Sequence, residues 1–206
     1  QGAIADYTKA IEINPQFASA YYNRGNAKND LKDYHGAIND YNKTIETNPQ
    51  HALAYNNRGI AKEKLGNHPG VIADFSKAIE INPQVTLAYN NRGIANEKLG
   101  NYQGAIDDYS KIIAIDPQDS SAYYKRGVAK EKSGDYQGAI SDYSKAIEID
   151  PQNNRAYNNR GIVKGRLGDY QGAIADFGKA IAIDPQDADS YYNRGLAKEL
   201  VDDLQG

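Results

Sequence analysis

Cysteine, methionine and tryptophan are all absent from this 206-residue chain, and phenylalanine occurs only three times. Without Cys there is no disulfide, no thiolate nucleophile and no Cys-held zinc, which fits a reducing, cytoplasmic compartment. Without Met, and with Gln1 at its head, the chain reads as a segment of a longer protein. No apolar run approaches the roughly 20 residues that span a bilayer, and no basic-then-apolar leader opens the chain, so membrane insertion is not expected. Acidic residues outnumber Lys and Arg by 27 to 24, giving a net charge of -3 and a pI near 5.6. Nucleic-acid binding rests on a surplus of cations and is therefore not expected either. His35, His51 and His68 stand 16 and 17 residues apart, outside metal-ligand spacings, and no glycine loop of the phosphate-cradling kind occurs. No metal and no cofactor is expected.

What the chain has is a period. Pro15, Pro49, Pro83, Pro117, Pro151 and Pro185 follow one another at intervals of 34 residues, with Pro69 alone outside the series. Gly25, Gly59, Gly93, Gly127, Gly161 and Gly195 keep the same register, as do Tyr21, Tyr55, Tyr89, Tyr123, Tyr157 and Tyr191. Repetition at this spacing marks an array of stacked supersecondary units. In one unit, Tyr55, Gly59, Ala61 and Leu65 fall at helical spacing, and Gly66-Asn67-His68-Pro69 breaks the pattern. A second stripe follows in Ile72, Phe75, Ala78, Ile79 and Ile81, which Asn82-Pro83 ends because the residue before proline is pushed out of the helical region. Gly inside a helix costs about 1 kcal/mol relative to Ala, so a glycine kept six times implies close helix approach. Ala3, Ala37, Ala105, Ala139 and Ala173, with Val71 as the larger exception, are expected at the matching contact on the second helix.

The run Ala122-Tyr123-Tyr124-Lys125-Arg126-Gly127, then Gly134-Asp135-Tyr136, Ala139-Ile140, Tyr143, Ala146-Ile147 and Pro151, resembles the tetratricopeptide repeat (TPR), and the likeness covers the whole chain. It implies an all-α fold, a right-handed superhelical solenoid of antiparallel helix pairs. In that register residues 1–206 form a single array. Residues 1–17 are the second helix of a truncated repeat, 18–51, 52–85, 86–119, 120–153 and 154–187 are complete repeats, and 188–206 are the first helix of another. Two slots depart from the family: Arg58 and its equivalents replace an apolar residue, and Lys62 and its equivalents an aromatic one.

The resemblance also implies a concave groove lined by first helices. Fourteen of the 17 tyrosines fall into core or seam slots by spacing alone, leaving Tyr22, Tyr124 and Tyr192 as groove candidates. The next position along is Asn23, Asn57, Asn91, Lys125, Asn159 and Asn193. A carboxamide both donates and accepts, so such a row could pair with the peptide bonds of an extended ligand. It resembles the asparagine ladder of superhelical repeat proteins that grip extended polypeptides; the alternative is that the amides bond within the scaffold. Asn26, Ile60 and Ile94 join the groove set, the isoleucines as aliphatic surface. The carboxylate clamp of chaperone-adaptor repeats is not expected, because Tyr22, Leu87 and Asn91 stand where its cations belong.

Charge is uneven as well. First-helix segments sum to +11 and the remainder to -14. Lys125, Lys132, Arg155 and Arg166 mark the fourth and fifth repeats as a place for an acidic peptide, opposed mainly by Glu131. Arg24, Arg58, Arg92, Arg126, Arg160 and Arg194 recur with Asp6, Asp40, Asp74, Asp108, Asp142 and Asp176, and are expected to pair across adjacent helices. Carboxylates that recur in every repeat are unlike the single pair of a catalytic site, so the chain is not expected to be an enzyme. The expectation is a protein-interaction scaffold that binds an extended peptide or protein segment. Two alternatives stand beside it: a structural module that self-associates head to tail through its open half-repeats, Gln1-Gly2 and Gln205-Gly206 being in phase and Leu196, Leu200, Val201 and Leu204 unlike a polar cap, or the substrate-docking region of a larger enzyme.

Overall fold

Each helix boundary is written in local chemistry. The residue before each periodic proline is extended, as at Asn82 and Asp116, which ends the helix. Its side-chain oxygen then accepts from the backbone N–H two residues on, as in Gln50 to Asn48 and Gln152 to Asp150, both 3.1 Å. Second helices start on an Asp or Asn cap. Asp33, Asp135 and Asp169 each accept from the N–H of Gly36, Gly138 and Gly172 at 2.9 Å. A Cβ at Gly138 would lie 2.0 Å from the capping carboxylate of Asp135, which accounts for the glycine.

The computed structural model describes the backbone of residues 2–203, and the side chains among them except at 68, 69 and 203. The expectations placed on Gln1, Leu204, Gln205 and Gly206, and on the side chains of His68 and Pro69, lie outside the described residues. Among the described residues the elements are α1 (Gly2–Ile13), α2 (Ala18–Asp30), α3 (Tyr34–Thr47), α4 (Ala52–Lys64), α5 (His68–Ile81) and α6 (Thr86–Lys98), then α7 (Tyr102–Ile115), α8 (Ser120–Ser133), α9 (Tyr136–Ile149), α10 (Asn154–Arg166), α11 (Tyr170–Ile183) and α12 (Ala188–Asp203). The fold is all-α. No helix is long and apolar enough to cross a membrane among the described residues.

The helices divide into two compact units, residues 1–99 and 100–206. In the first, each helix packs on the next and α2 also touches α4; in the second, α7 to α12 do the same, and α10 touches both α8 and α12. First helices thus stand side by side within each unit, with second helices packed behind them.

The core corrects one expectation. The recurrent glycine of the first helix does not face the recurrent alanine of the second; it faces the aromatic ring of its own hairpin. A Cβ on Gly25, Gly59, Gly127 or Gly161 would come within 2.8 Å of Tyr41, Phe75, Tyr143 or Phe177 respectively. The alanine packs instead toward the next repeat: Ala37 and Tyr41 with Ala61, Ala139 and Tyr143 with Val163, and Ala173 and Phe177 with Ala197. Val71 fills the same slot, buried with Phe75 and Ala95. Ala3, in α1, is exposed. A second correction concerns the tyrosines, because Tyr191 of α12 is exposed rather than buried in a seam.

Candidate functional site: the first-helix face

Four of the recurrent Arg and Asp pairs form as expected, each within one hairpin, while Asp6 in α1 is exposed. Arg58 Nε donates to Asp74 Oδ2 at 3.0 Å while its terminal nitrogen bonds Oδ1, a two-pronged pairing. Arg126 holds Asp142 at 2.8 and 2.7 Å, Arg24 holds Asp40 at 2.9 and 2.7 Å, and Arg160 holds Asp176 at 2.9 and 2.6 Å. The lysine one turn on closes each set: Lys28, Lys62, Lys130 and Lys164 lie within 2.9 Å of the same carboxylates. Both departures from the family pattern therefore have one cause. Arg and Lys replace apolar and aromatic residues because a buried carboxylate sits opposite them. The remaining arm of each Arg reaches the second helix of the preceding repeat, at Thr8, Asn42, Ser76, Ser110 and Ser144. Each guanidinium also stacks on the tyrosine three residues before it, as Arg126 does on Tyr123 at 5.5 Å. This network orients helices and uses these charges internally.

On the other face of the first helices, the predicted asparagines form a chain between repeats. Asn57 Nδ2 donates to the Tyr22 hydroxyl at 3.2 Å and to Asn26 Oδ1 at 3.0 Å. Asn91 Nδ2 reaches Asn56 Oδ1 at 3.0 Å, Asn159 Nδ2 the Tyr124 hydroxyl at 3.2 Å, and Asn193 Nδ2 Asn158 Oδ1 at 3.4 Å. One contact recurs: the amide of one repeat to the residue 35 positions earlier. Asn26 is further engaged, accepting from the Tyr41 hydroxyl at 2.9 Å. These amides stitch first helices together before any ligand is considered. The partners Asn56 and Asn158 were missed in the sequence, although the doubled Asn56-Asn57, Asn90-Asn91 and Asn158-Asn159 signalled them.

The remaining candidates divide by burial. Asn23, Lys125 and Ile94 are half-buried on their helices. Ile60 packs on Val71, Phe75 and Ala95, and Tyr22 lies against Tyr41 and His51. Tyr124 packs against Tyr143, so Tyr22 and Tyr124 are seam residues with one edge open. Tyr192, at 68% exposure, projects from α12. The basic set is partly compensated: Arg166 pairs with Glu131 at 2.8 Å, Lys132 lies over the Tyr102 ring, and Arg155 shares a recess with Asp184, Asp187 and Asp189. Glu131 also accepts from the Tyr143 hydroxyl at 2.9 Å. Burial, with the Glu131 carboxylate beside it, pushes the Tyr143 phenol far above the ordinary tyrosine range, so it remains a donor.

His51 has a structural task that spacing did not reveal. Its Nδ1 accepts from the Ala54 N–H at 3.2 Å, capping α4, and its ring lies 4.6 Å from that of Tyr22. Burial lowers its pKa from the usual histidine value. Because the folded chain then holds fewer protons than the unfolded one as pH falls below about 6.5, this group's contribution is full above that pH and is lost as acid protonates Nδ1. We expect the urea midpoint to decline more steeply between about pH 7 and pH 5 than in a His51→Asn variant, since Asn153 caps α10 in the equivalent place. Parallel pH profiles for the two proteins are the contrary result.

Helical hairpins of about 34 residues, laid first helix to first helix, define a helical-repeat scaffold. The "Tetratricopeptide repeat" family matches residues 18–51, 52–85 and 86–119, and the related "TPR repeat" family matches 1–29, 130–168 and 165–200. The chain belongs to the tetratricopeptide repeat family. Among solved structures it is similar to YrrB, a TPR protein with an unusual peptide-binding site, at 23% identity and a TM-score of 0.81 over 92% of this chain and 97% of that one. It is similar to MamA at 29% identity and a TM-score of 0.75, covering 80% of this chain and 96% of that one. A TPR protein of Parabacteroides merdae ATCC 43184 aligns at 25% identity and a TM-score of 0.59, over 96% of this chain and 77% of that one. Comparison with curated proteins gave no match.

Proposed function

We propose that the chain is a protein-interaction scaffold that receives an extended polypeptide segment on its first-helix face. The observation that carries this reading is a row of half-buried carboxamides and tyrosines in each unit: Tyr22, Asn57 and Asn91 in the first, and Tyr124, Asn159 and Asn193 in the second. A carboxamide has two N–H donors and an oxygen with two lone pairs, so even Asn57, whose two donors go to Tyr22 and Asn26, keeps acceptor capacity, and the stitch itself fixes its rotamer. A preorganised row loses little entropy when a peptide pairs with it. Aliphatic Ile60, Ile94 and Ile162 beside the row supply surface for ligand side chains. An acidic segment fits the second unit best, since α10 carries Arg155 and Arg166 outside the buried Arg160–Lys164–Asp176 set and has no carboxylate. The fold shared with YrrB, described as having a peptide-binding site, is compatible with this reading.

The test is selection from a displayed library of random peptides, followed by affinity measurement on point variants. Peptides that bind this face are expected to weaken about tenfold on Asn159→Ala and on Tyr192→Ala, with the melting temperature of Tyr192→Ala unchanged. Selected peptides indifferent to both changes, but sensitive to Lys145 and Glu148 on the outer surface of α9, would place the binding surface elsewhere.

A further inference from the structure

Two junctions between successive first helices carry an ion pair, and at α2–α4 the same positions hold the polar Asn29 and Lys64. At the α8–α10 junction, Glu131 accepts from Tyr143 and pairs with Arg166. At the α4–α6 junction, Glu63 pairs with Lys98, and the second-helix ring is Phe75. At the α10–α12 junction the equivalent three positions are Gly165, Phe177 and Leu200. The carboxylate, its phenol donor and its cation are lost together. What replaces them is a recess lined by Ile162, Gly165, Phe177, Leu196 and Leu200, with the Asn193 amide and Tyr170 at its rim. A Cβ on Gly165 would meet only Ala173, at 3.9 Å, so the glycine is not demanded by packing. Leu196 and Leu200 stay 42% and 44% exposed.

The geometry points to an anchor pocket for one aliphatic side chain of an acidic peptide segment, a specificity element within the peptide-binding reading given above and dependent on it. The recess is apolar where its counterparts are polar, so burying a leucine-sized group there removes water from Phe177, Leu196 and Leu200 without stranding a polar partner. Charge complementarity selects the flanks. Arg166 adjoins Gly165 in sequence, is 51% exposed, and keeps donors beyond the one that meets Glu131. α10, which forms this wall of the recess, has no carboxylate to repel an acidic ligand, whereas Arg155 near its start is shared with Asp184, Asp187 and Asp189. The amide of Asn193 stands at the rim, where the ligand backbone would pass.

The experiment uses methyl-resolved NMR of the intact chain with a capped pentapeptide probe, leucine at the centre and Asp or Glu around it. Shifts are expected at the methyls of Ile162, Leu196 and Leu200. Replacing the probe's leucine with alanine is expected to weaken binding about tenfold or more, and replacing its acids with lysine should weaken it as well. The paired variant Gly165→Glu with Leu200→Arg writes into this junction the arrangement that Glu63, Phe75 and Lys98 already form, so it should fold with unchanged helicity and lose the shifts. Equal binding of leucine and alanine probes, equal binding of acidic and lysine-flanked probes, or shifts that survive in the paired variant would each overturn the pocket. If peptides selected on the first-helix face still bind while the leucine probe leaves these methyls unmoved, the pocket fails and the scaffold reading stands. A probe that fills the pocket while Asn159→Ala leaves the selected peptides unaffected has the opposite meaning.

Discussion

Asp142→Asn is expected to destabilise the chain by about 3 kcal/mol, lowering the melting temperature by about 6–12 °C. The carboxylate is only 4% exposed and holds three nitrogens, two of Arg126 and one of Lys130. Replacing it leaves two cations facing each other with no counter-charge, and both are mostly screened from water. Arg126→Gln should cost less, because Lys130 still neutralises Asp142. A double-mutant cycle between the two positions, read by circular dichroism in urea, gives the coupling directly. Glu148→Gln, which breaks an exposed pair with Lys145, is the control and should leave the midpoint where it is. Equal effects from Asp142→Asn and Glu148→Gln would mean that the buried network orients nothing.

The second large effect is expected from Tyr143→Ala, at about 3–5 kcal/mol. The ring is fully buried, packs with Ala139 and Val163, and lies under Tyr124 and Val128. It also fills the space that the absent Cβ of Gly127 leaves, 2.7 Å from where that atom would be. Tyr143→Phe should cost only about 0.5–1.5 kcal/mol, since Phe75 and Phe177 occupy the same slot and Glu131 retains Arg166. The two positions are coupled. Gly127→Ala should destabilise the wild-type chain, where the ring has to move, and stabilise the Tyr143→Ala chain, where helix propensity is unopposed. Additive effects would show that glycine and ring do not share one space.

Most of the fold was legible in the sequence because it is local and repeated six times. The stops at the periodic prolines act within one turn of chain, and their repetition at 34 residues separates signal from accident. The Arg–Asp pairing was legible for the same reason, since two charges with one period imply a constant partner. The first-helix face was less so. Asn57 and Asn159 stood out as residue types at a spacing, but their first bonds, to Tyr22 and Tyr124, join residues 35 apart and depend on how one hairpin leans on the next. His51 looked like a turn residue, and only its approach to Tyr22 and the Ala54 N–H gave it a task.

By itself the sequence determined that this protein is a set of stacked helical hairpins without cysteine. Composition and short-range hydrogen bonding suffice for that. Tertiary structure alone decided which recurrent residue meets which: that Gly127 faces an aromatic ring and not an alanine, that Arg126 and Lys130 share one carboxylate, and that Gly165 and Leu200 open an apolar recess where Glu131 and Arg166 close a polar one. The reason is that a period names positions along the chain, whereas the distances between helices follow from how side chains of different size and charge pack at each junction.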